Sequence, residues 1–175
     1  MFTTIVALGT ILLQIGIIVL IIGWVTKAPF VSFVARHSSR ILIFIFAGGA
    51  LISMVYQYGF GYEPCLLCWY QRIPIFSAAI ILFTGNIRKS RMLANQVLIL
   101  SVIGFAIALL HNYIDIFPTG LDVCGATGPS CLARYVYEFG YITIPMMSGT
   151  VLLSGIILTI LAKRYPQSDV VDTAK

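Results

Sequence analysis

Charge is scarce in this sequence: Asp, Glu, Lys and Arg make up 10% of 175 residues, against 59% hydrophobic residues. A soluble domain carries roughly 25% charged residues. A water-soluble fold of this length could not hide so much apolar surface, because folding buries only part of it. The mean hydropathy of +0.99 points to the bilayer as the solvent. The alternating pattern of membrane β-barrel strands is missing, which leaves helices as the spanning elements. A basic start is missing too. The first charge is Lys27, after an apolar run of 21 residues, so the first segment reads as a retained helix and not a cleaved signal.

What the sequence does have is five uncharged segments near the length of about 20 residues that crosses a hydrocarbon core. They are Ile5–Val25, Ile41–Tyr62, Ile73–Ile87, Met92–Ile114 and Phe139–Ala162. The third, at 15 residues, reaches that length only if Trp69–Arg72 belong to the same helix. The expected fold is all-α, an integral membrane helical bundle.

Five spans distribute the connections between two sides. One side receives nine of the eleven basic residues: Lys27, Arg36, Arg40, Arg88, Lys89, Arg91, Lys163, Arg164 and Lys175. The other receives two, Arg72 and Arg134, together with the N-terminus. Lys and Arg concentrate in cytoplasmic loops, so the first side is expected inside. The net charge of +5 then reports topology and not a nucleic-acid partner. All four cysteines fall on the basic-poor side, the oxidising face on which disulfides persist. Glu63, Asp115, Asp122 and Glu138 lie there as well.

The first pair sits in Glu63-Pro64-Cys65-Leu66-Leu67-Cys68-Trp69-Tyr70-Gln71-Arg72-Ile73-Pro74. Two intervening residues let the sulfurs close a small ring, and a helix N-terminus favours the nucleophilic thiolate. If the helix begins near Cys68, Arg72 lies one turn on and can stabilise a thiolate or a cofactor oxygen. Pro74 suits the first turn of a helix starting between Cys68 and Ile73. Spacing alone leaves redox chemistry, a structural disulfide and part of a zinc site open, and Arg72 could be a snorkelling anchor.

The second pair, Cys124 and Cys131, occupies the loop Asn112–Glu138, in which Gly125, Gly128 and Pro129 let the chain fold back. A disulfide across so short a loop adds only about 2–3 kcal/mol in the chain-entropy model. That is a modest structural benefit, and such a pair can instead be offered to another protein's thiols. Two pairs on one face can relay electrons by thiol–disulfide exchange, with a lipophilic quinone as the obvious acceptor. His111 ends the fourth span as either a functional group or an interfacial histidine. Pro145 reads as a kink that frees the Tyr141 carbonyl, and Gly48-Gly49 as helix packing.

The stretch Pro64–Ile73, His111, the Cys124 and Cys131 pair, and Phe139-Gly140-Tyr141-Ile142-Thr143-Ile144-Pro145 together resemble the DsbB/BdbC-type disulfide bond formation proteins, the BdbC branch above all. The resemblance covers about residues 41–163. It implies a four-helix bundle in the bacterial plasma membrane that reoxidises an extracytoplasmic, thioredoxin-like partner of the DsbA/BdbD type. Electrons would then pass to ubiquinone or menaquinone. It further implies that Cys65 and Cys68 form the membrane-proximal pair, with Cys68 nearest the quinone. Arg72 and His111 would line the quinone site, Cys124 would form the mixed disulfide, and Cys131 would be its paired cysteine. No metal is implied.

The chain departs from that family in its additional N-terminal helix within residues 1–40, which precede the redox domain 41–163 and a polar tail 164–175. Two other functions compete. A vitamin K epoxide reductase-like enzyme would carry its membrane pair late in the bundle, whereas Cys65–Cys68 comes before the outer pair. A membrane scaffold or channel subunit would keep both pairs as fixed disulfides.

Overall fold

The computed structural model describes residues 1–117, 124 and 129–165. Asp122, Gly125, Gly128 and Lys175 lie outside the described residues, as does most of the polar tail. Among the described residues, five helices are long and apolar enough to cross a membrane: α1 (Phe2–Val25), α2 (Pro29–Met54), α3 (Leu66–Thr84), α4 (Arg91–Ile116) and α5 (Ile144–Arg164). The architecture is the expected all-helical membrane bundle. At 1.5 Å per residue the 19 residues of α3 reach about 28 Å, close to the hydrocarbon thickness. Trp69–Arg72 do belong to this helix, which is what the short third segment required.

Several boundaries differ from the sequence expectation, and three of these, all at helix starts, matter for the site. First, α2 starts at Pro29 and takes in Arg36 and Arg40. Its first turn needs no N–H from proline, and long basic side chains tolerate a helix that emerges into water. Second, α3 starts at Leu66 with Cys65 as its N-cap, so Pro74 lies inside the helix. Third, Pro145 stands in the first turn of α5, and no mid-helix kink arises there. The preceding residues turn sharply instead. Glu138 and Ile142 bridge, and Phe139 and Gly140 take φ of 52° and 78°.

α4 packs against α3 and α5, and α2 packs across the same two helices. Phe46, Leu42, Val97, Leu82, Leu152 and Leu161 fill the core between them. Close approach depends on Gly155, where a Cβ would stand 2.5 Å from Ser101 Oγ and 2.7 Å from Phe46 Cζ. Many large apolar side chains elsewhere remain exposed on the bundle surface, as a hydrocarbon solvent permits. α1 lies against α5 and α2.

The two ends of the bundle are chemically distinct. At one end Arg88 donates to the Arg36 and Tyr165 carbonyls, and Lys163 donates to Asn95. At the other, α2 ends in a π-type turn, Val55–Gly59, beneath a group of rings. Phe2 stacks on Phe60 at 5.4 Å and meets Tyr56 edge-on at 5.8 Å, while Tyr62 stacks on Tyr135 at 5.0 Å. Amphipathic rings of this kind gather at membrane–water interfaces.

Candidate active site

The helix begins at the first cysteine of its pair. Cys65 has extended backbone and accepts the Cys68 N–H at 3.4 Å, so its sulfur caps the N-terminus of α3. One turn of helix then returns Cys68 toward it, with the two sulfurs 2.9 Å apart. The hydrogen bond from the Cys68 thiol holds the Cys65 thiol well below the usual range. Burial opposes this, and His111 together with the Cys68 N–H reinforces it. The low-pKa sulfur at the helix mouth is therefore Cys65, one turn earlier than the placement expected from spacing.

Cys124 and Cys131 form a disulfide with their Cα atoms 5.7 Å apart. It is not held out in solvent. Both residues are buried, in a cluster with Cys65, Leu67 and Ile114, and Cys68 packs against them. The donor atoms of Cys65, His111 and Cys131 all lie within 4.8 Å of one another. With Cys131 bonded to Cys124, this cluster offers two available donors, fewer than the four of a structural zinc site.

His111 is 2% exposed and sits within α4, more than a turn before its end at Ile116. Its Nε2 lies 3.2 Å from the Cys131 carbonyl and 3.8 Å from Cys65 Sγ. A carbonyl can only accept, so Nε2 carries the proton and Nδ1 accepts from Gln71 Nε2 at 2.9 Å. The Gln71 carbonyl in turn accepts from the Ser148 hydroxyl. One hydrogen-bond chain thus runs from α5 through α3 and α4 to the loop disulfide. The Cys-X-X-Cys reading missed Gln71 although it lies inside the motif. Ser148 carries no local signal at all.

Arg72 lies one helical turn from Cys68 and is buried. Its guanidinium donates to Gln57 and to the Ser53 carbonyl at 3.1 Å, both at the end of α2, and packs over the Trp69 ring at 5.2 Å. Arg134 pairs with Asp115 at 2.6 Å and ties the cysteine loop to α4.

Cys65, Cys68, Arg72 and His111 share a cavity of about 520 Å³ that is mostly apolar away from these groups. That volume falls in the range of small-molecule sites. The structure brings the six expected residues to one end of the bundle, with the four just named in the cavity wall beside Cys131.

Comparison with known proteins identifies the family. Residues 35–163 match the family model described as disulfide bond formation protein DsbB. A probable disulfide formation protein of Chlamydia pneumoniae is 32% identical over 136 residues, covering 77% of this chain and 98% of that protein. The SPbeta prophage-derived disulfide bond formation protein B of Bacillus subtilis is 35% identical over 125 residues, 70% of this chain and 84% of the relative. A probable disulfide formation protein C 2 of Bacillus anthracis is 32% identical over 128 residues, 73% and 91% of the two chains. No solved structure matches. With its cysteine pairs, its helical bundle and these relatives, the chain belongs to the DsbB family of disulfide bond formation proteins, which are membrane thiol–disulfide oxidoreductases.

Proposed function

We propose that the protein reoxidises a thioredoxin-like partner outside the cytoplasm and passes the electrons through both cysteine pairs to a quinone. The observation that carries this reading is the short sulfur path. Cys131 and Cys65 approach within 4.8 Å, and Cys65 and Cys68 within 2.9 Å.

The relay begins with both pairs oxidised. A partner thiolate attacks Cys124 Sγ, forms a mixed disulfide and releases the Cys131 thiolate. Cys131 then attacks Cys65, breaks the Cys65–Cys68 bond and leaves a thiolate on Cys68, one turn from the Arg72 cation. The partner's second thiol displaces Cys124 and departs as a disulfide. Cys124 attacks Cys131 and restores their bond, so Cys65 and Cys68 end as a dithiol. Two electrons and two protons leave this dithiol as its disulfide re-forms. Because Cys124 is 6% exposed, partner docking must draw its loop open before the first step.

A bound quinone supplies the two-electron, two-proton sink. The residues present fit one. The guanidinium has five N–H donors, and the two bonds to α2 leave others for a ring oxygen. His111 lines the same cavity, and the apolar remainder suits a lipid-soluble molecule. The nine-to-two division of basic residues supports an orientation with the cysteine end extracytoplasmic and the basic end inside.

The test supplies purified protein with a reduced thioredoxin-like substrate and either ubiquinone or menaquinone. One quinone should be consumed per partner disulfide formed. Quinone reduction that survives replacement of both cysteine pairs would overturn the reading. Fixed Cys65–Cys68 and Cys124–Cys131 bonds under all conditions would favour a scaffold.

A further inference from the structure

α1 precedes the residues 35–163 that match the family model, yet one of its faces forms a wall of the redox cavity. We propose that α1 is a ligand-binding element: with α2 it encloses the apolar tail of the quinone whose ring lies near Arg72 and His111. The proposal rests on the quinone reading above and adds which part of this chain recognises the tail.

Val6, Gly9 and Leu13 of α1 line the cavity together with Ile45, Gly48 and Ile52 of α2. From Phe2 to Leu13 the α1 wall extends roughly 16 Å from the cysteine end toward the middle of the bundle. The two adjacent glycines of α2 do different things. A Cβ on Gly49 would touch Val151 at 3.4 Å, which is helix packing. A Cβ on Gly48 or on Gly9 would meet nothing within 4 Å, so both border open space.

Polar groups along this wall are already engaged. The Thr10 hydroxyl turns back to the Val6 carbonyl at 3.0 Å. Gln14 donates to Thr150 at 3.1 Å and accepts from Tyr141 at 2.9 Å. Thr3 donates to Glu138 at 2.9 Å. These last contacts fasten α1 to α5 and to the cysteine end while leaving the cavity wall apolar. Water needs two to four polar partners to settle in such a space. The occupant suited to one polar and one apolar end is an amphiphile with a polar ring and a hydrocarbon tail.

The experiment uses the full-length protein and two probes: a quinone with a photoreactive diazirine in a long alkyl tail, and a tail-less quinone ring. Photolabel should fall on the peptide containing residues 6–13 and be competed away by unlabelled long-tailed quinone. Gly9→Leu and Gly48→Leu should each raise KM for the long-tailed quinone about tenfold, the loss expected for roughly two methylene-sized groups kept out of the cleft. KM for the tail-less ring should change less than twofold. Gly16→Leu, on α1 but outside the cavity lining, should change neither. Label that falls elsewhere overturns the proposal, as does equal sensitivity of the two quinones. Label on α1 that quinone fails to displace also overturns it and assigns the cleft to a phospholipid chain. If the wild-type protein neither binds nor reduces either probe, the quinone reading itself fails, and that result is distinct from the others.

Discussion

The two cysteine pairs pack side by side, all but Cys68 fully buried, yet different forces hold them. Cys65 and Cys68 are placed by a helix: the cap, the backbone N–H and a partner thiol one turn on fix the geometry with no covalent constraint required. Cys124 and Cys131 are placed by their own bond and by a loop tied down through Arg134 and Asp115. The first pair is a local product of secondary structure, and the second depends on tertiary contacts. His111 touches both, with one ring nitrogen facing Cys65 and the Cys131 carbonyl. A preorganised pair beside a tethered one suits a relay in which only the outer partner has to move.

That contrast can be broken most severely at the sulfurs. Replacing Cys68 and Cys124 together by alanine should abolish turnover and leave Cys65 and Cys131 to pair with each other. Mass mapping of the linkage checks this, and failure to pair would separate the two sites. Next in size is Arg72→Met, which removes a charge-assisted donor worth about 1.5–3 kcal/mol. Quinone KM should then rise roughly ten- to a hundredfold, with Arg72→Lys restoring part because it keeps the charge and loses the fork.

The pH response should distinguish the pairs directly. In the fully reduced protein the lowered Cys65 pKa keeps its thiolate as pH falls from about 8 to 6, while an ordinary thiol loses thiolate about tenfold per unit below its pKa near 8.5. Alkylation should therefore persist at Cys65 and decline at the outer cysteines. Cys68→Ala removes the main cause of the lowering and should slow the acid-side alkylation of Cys65. Equal decline at both pairs would erase the electrostatic difference.

A smaller effect is expected at Gln71. Gln71→Leu deprives His111 Nδ1 of its donor, and turnover should fall about fivefold, the worth of one net hydrogen bond. Imidazole nitrogen NMR should report the altered tautomer balance. The smallest effect belongs to the ion pair between half-exposed Arg134 and buried Asp115. Arg134→Ala should lower the midpoint of detergent unfolding only slightly.

Much of this was legible from residue order. Scarcity of charge and five apolar segments dictate the bundle, and the motif around Cys65 gives the family. Helix starts were less legible. Arg36 and Arg40 looked like loop residues because charge marks the limit of a lipid-facing segment, yet the hydrogen-bonded helix continues past that limit. Pro74 looked like a first-turn residue because proline is cheapest there, but neighbouring helices hold it deeper in α3. Gln71 and Ser148 needed tertiary structure: their link joins residues 77 positions apart, and no periodicity encodes it. The role of α1 was hidden for the same reason, since its apolar sequence does not say which of its faces meets protein.

The π-type turn Val55–Gly59 makes the chain sensitive to a change in length. A π turn holds one residue more than an α turn, and each helical residue advances about 100° around the axis. Deleting a single residue before Gln57 would therefore swing that amide away from Arg72 and carry the Tyr56–Tyr62 ring stack to another side of the bundle. Substitutions in this turn change a side chain; a deletion would change the phase of everything beyond it. The arginine's partner is thus specified by count as much as by identity.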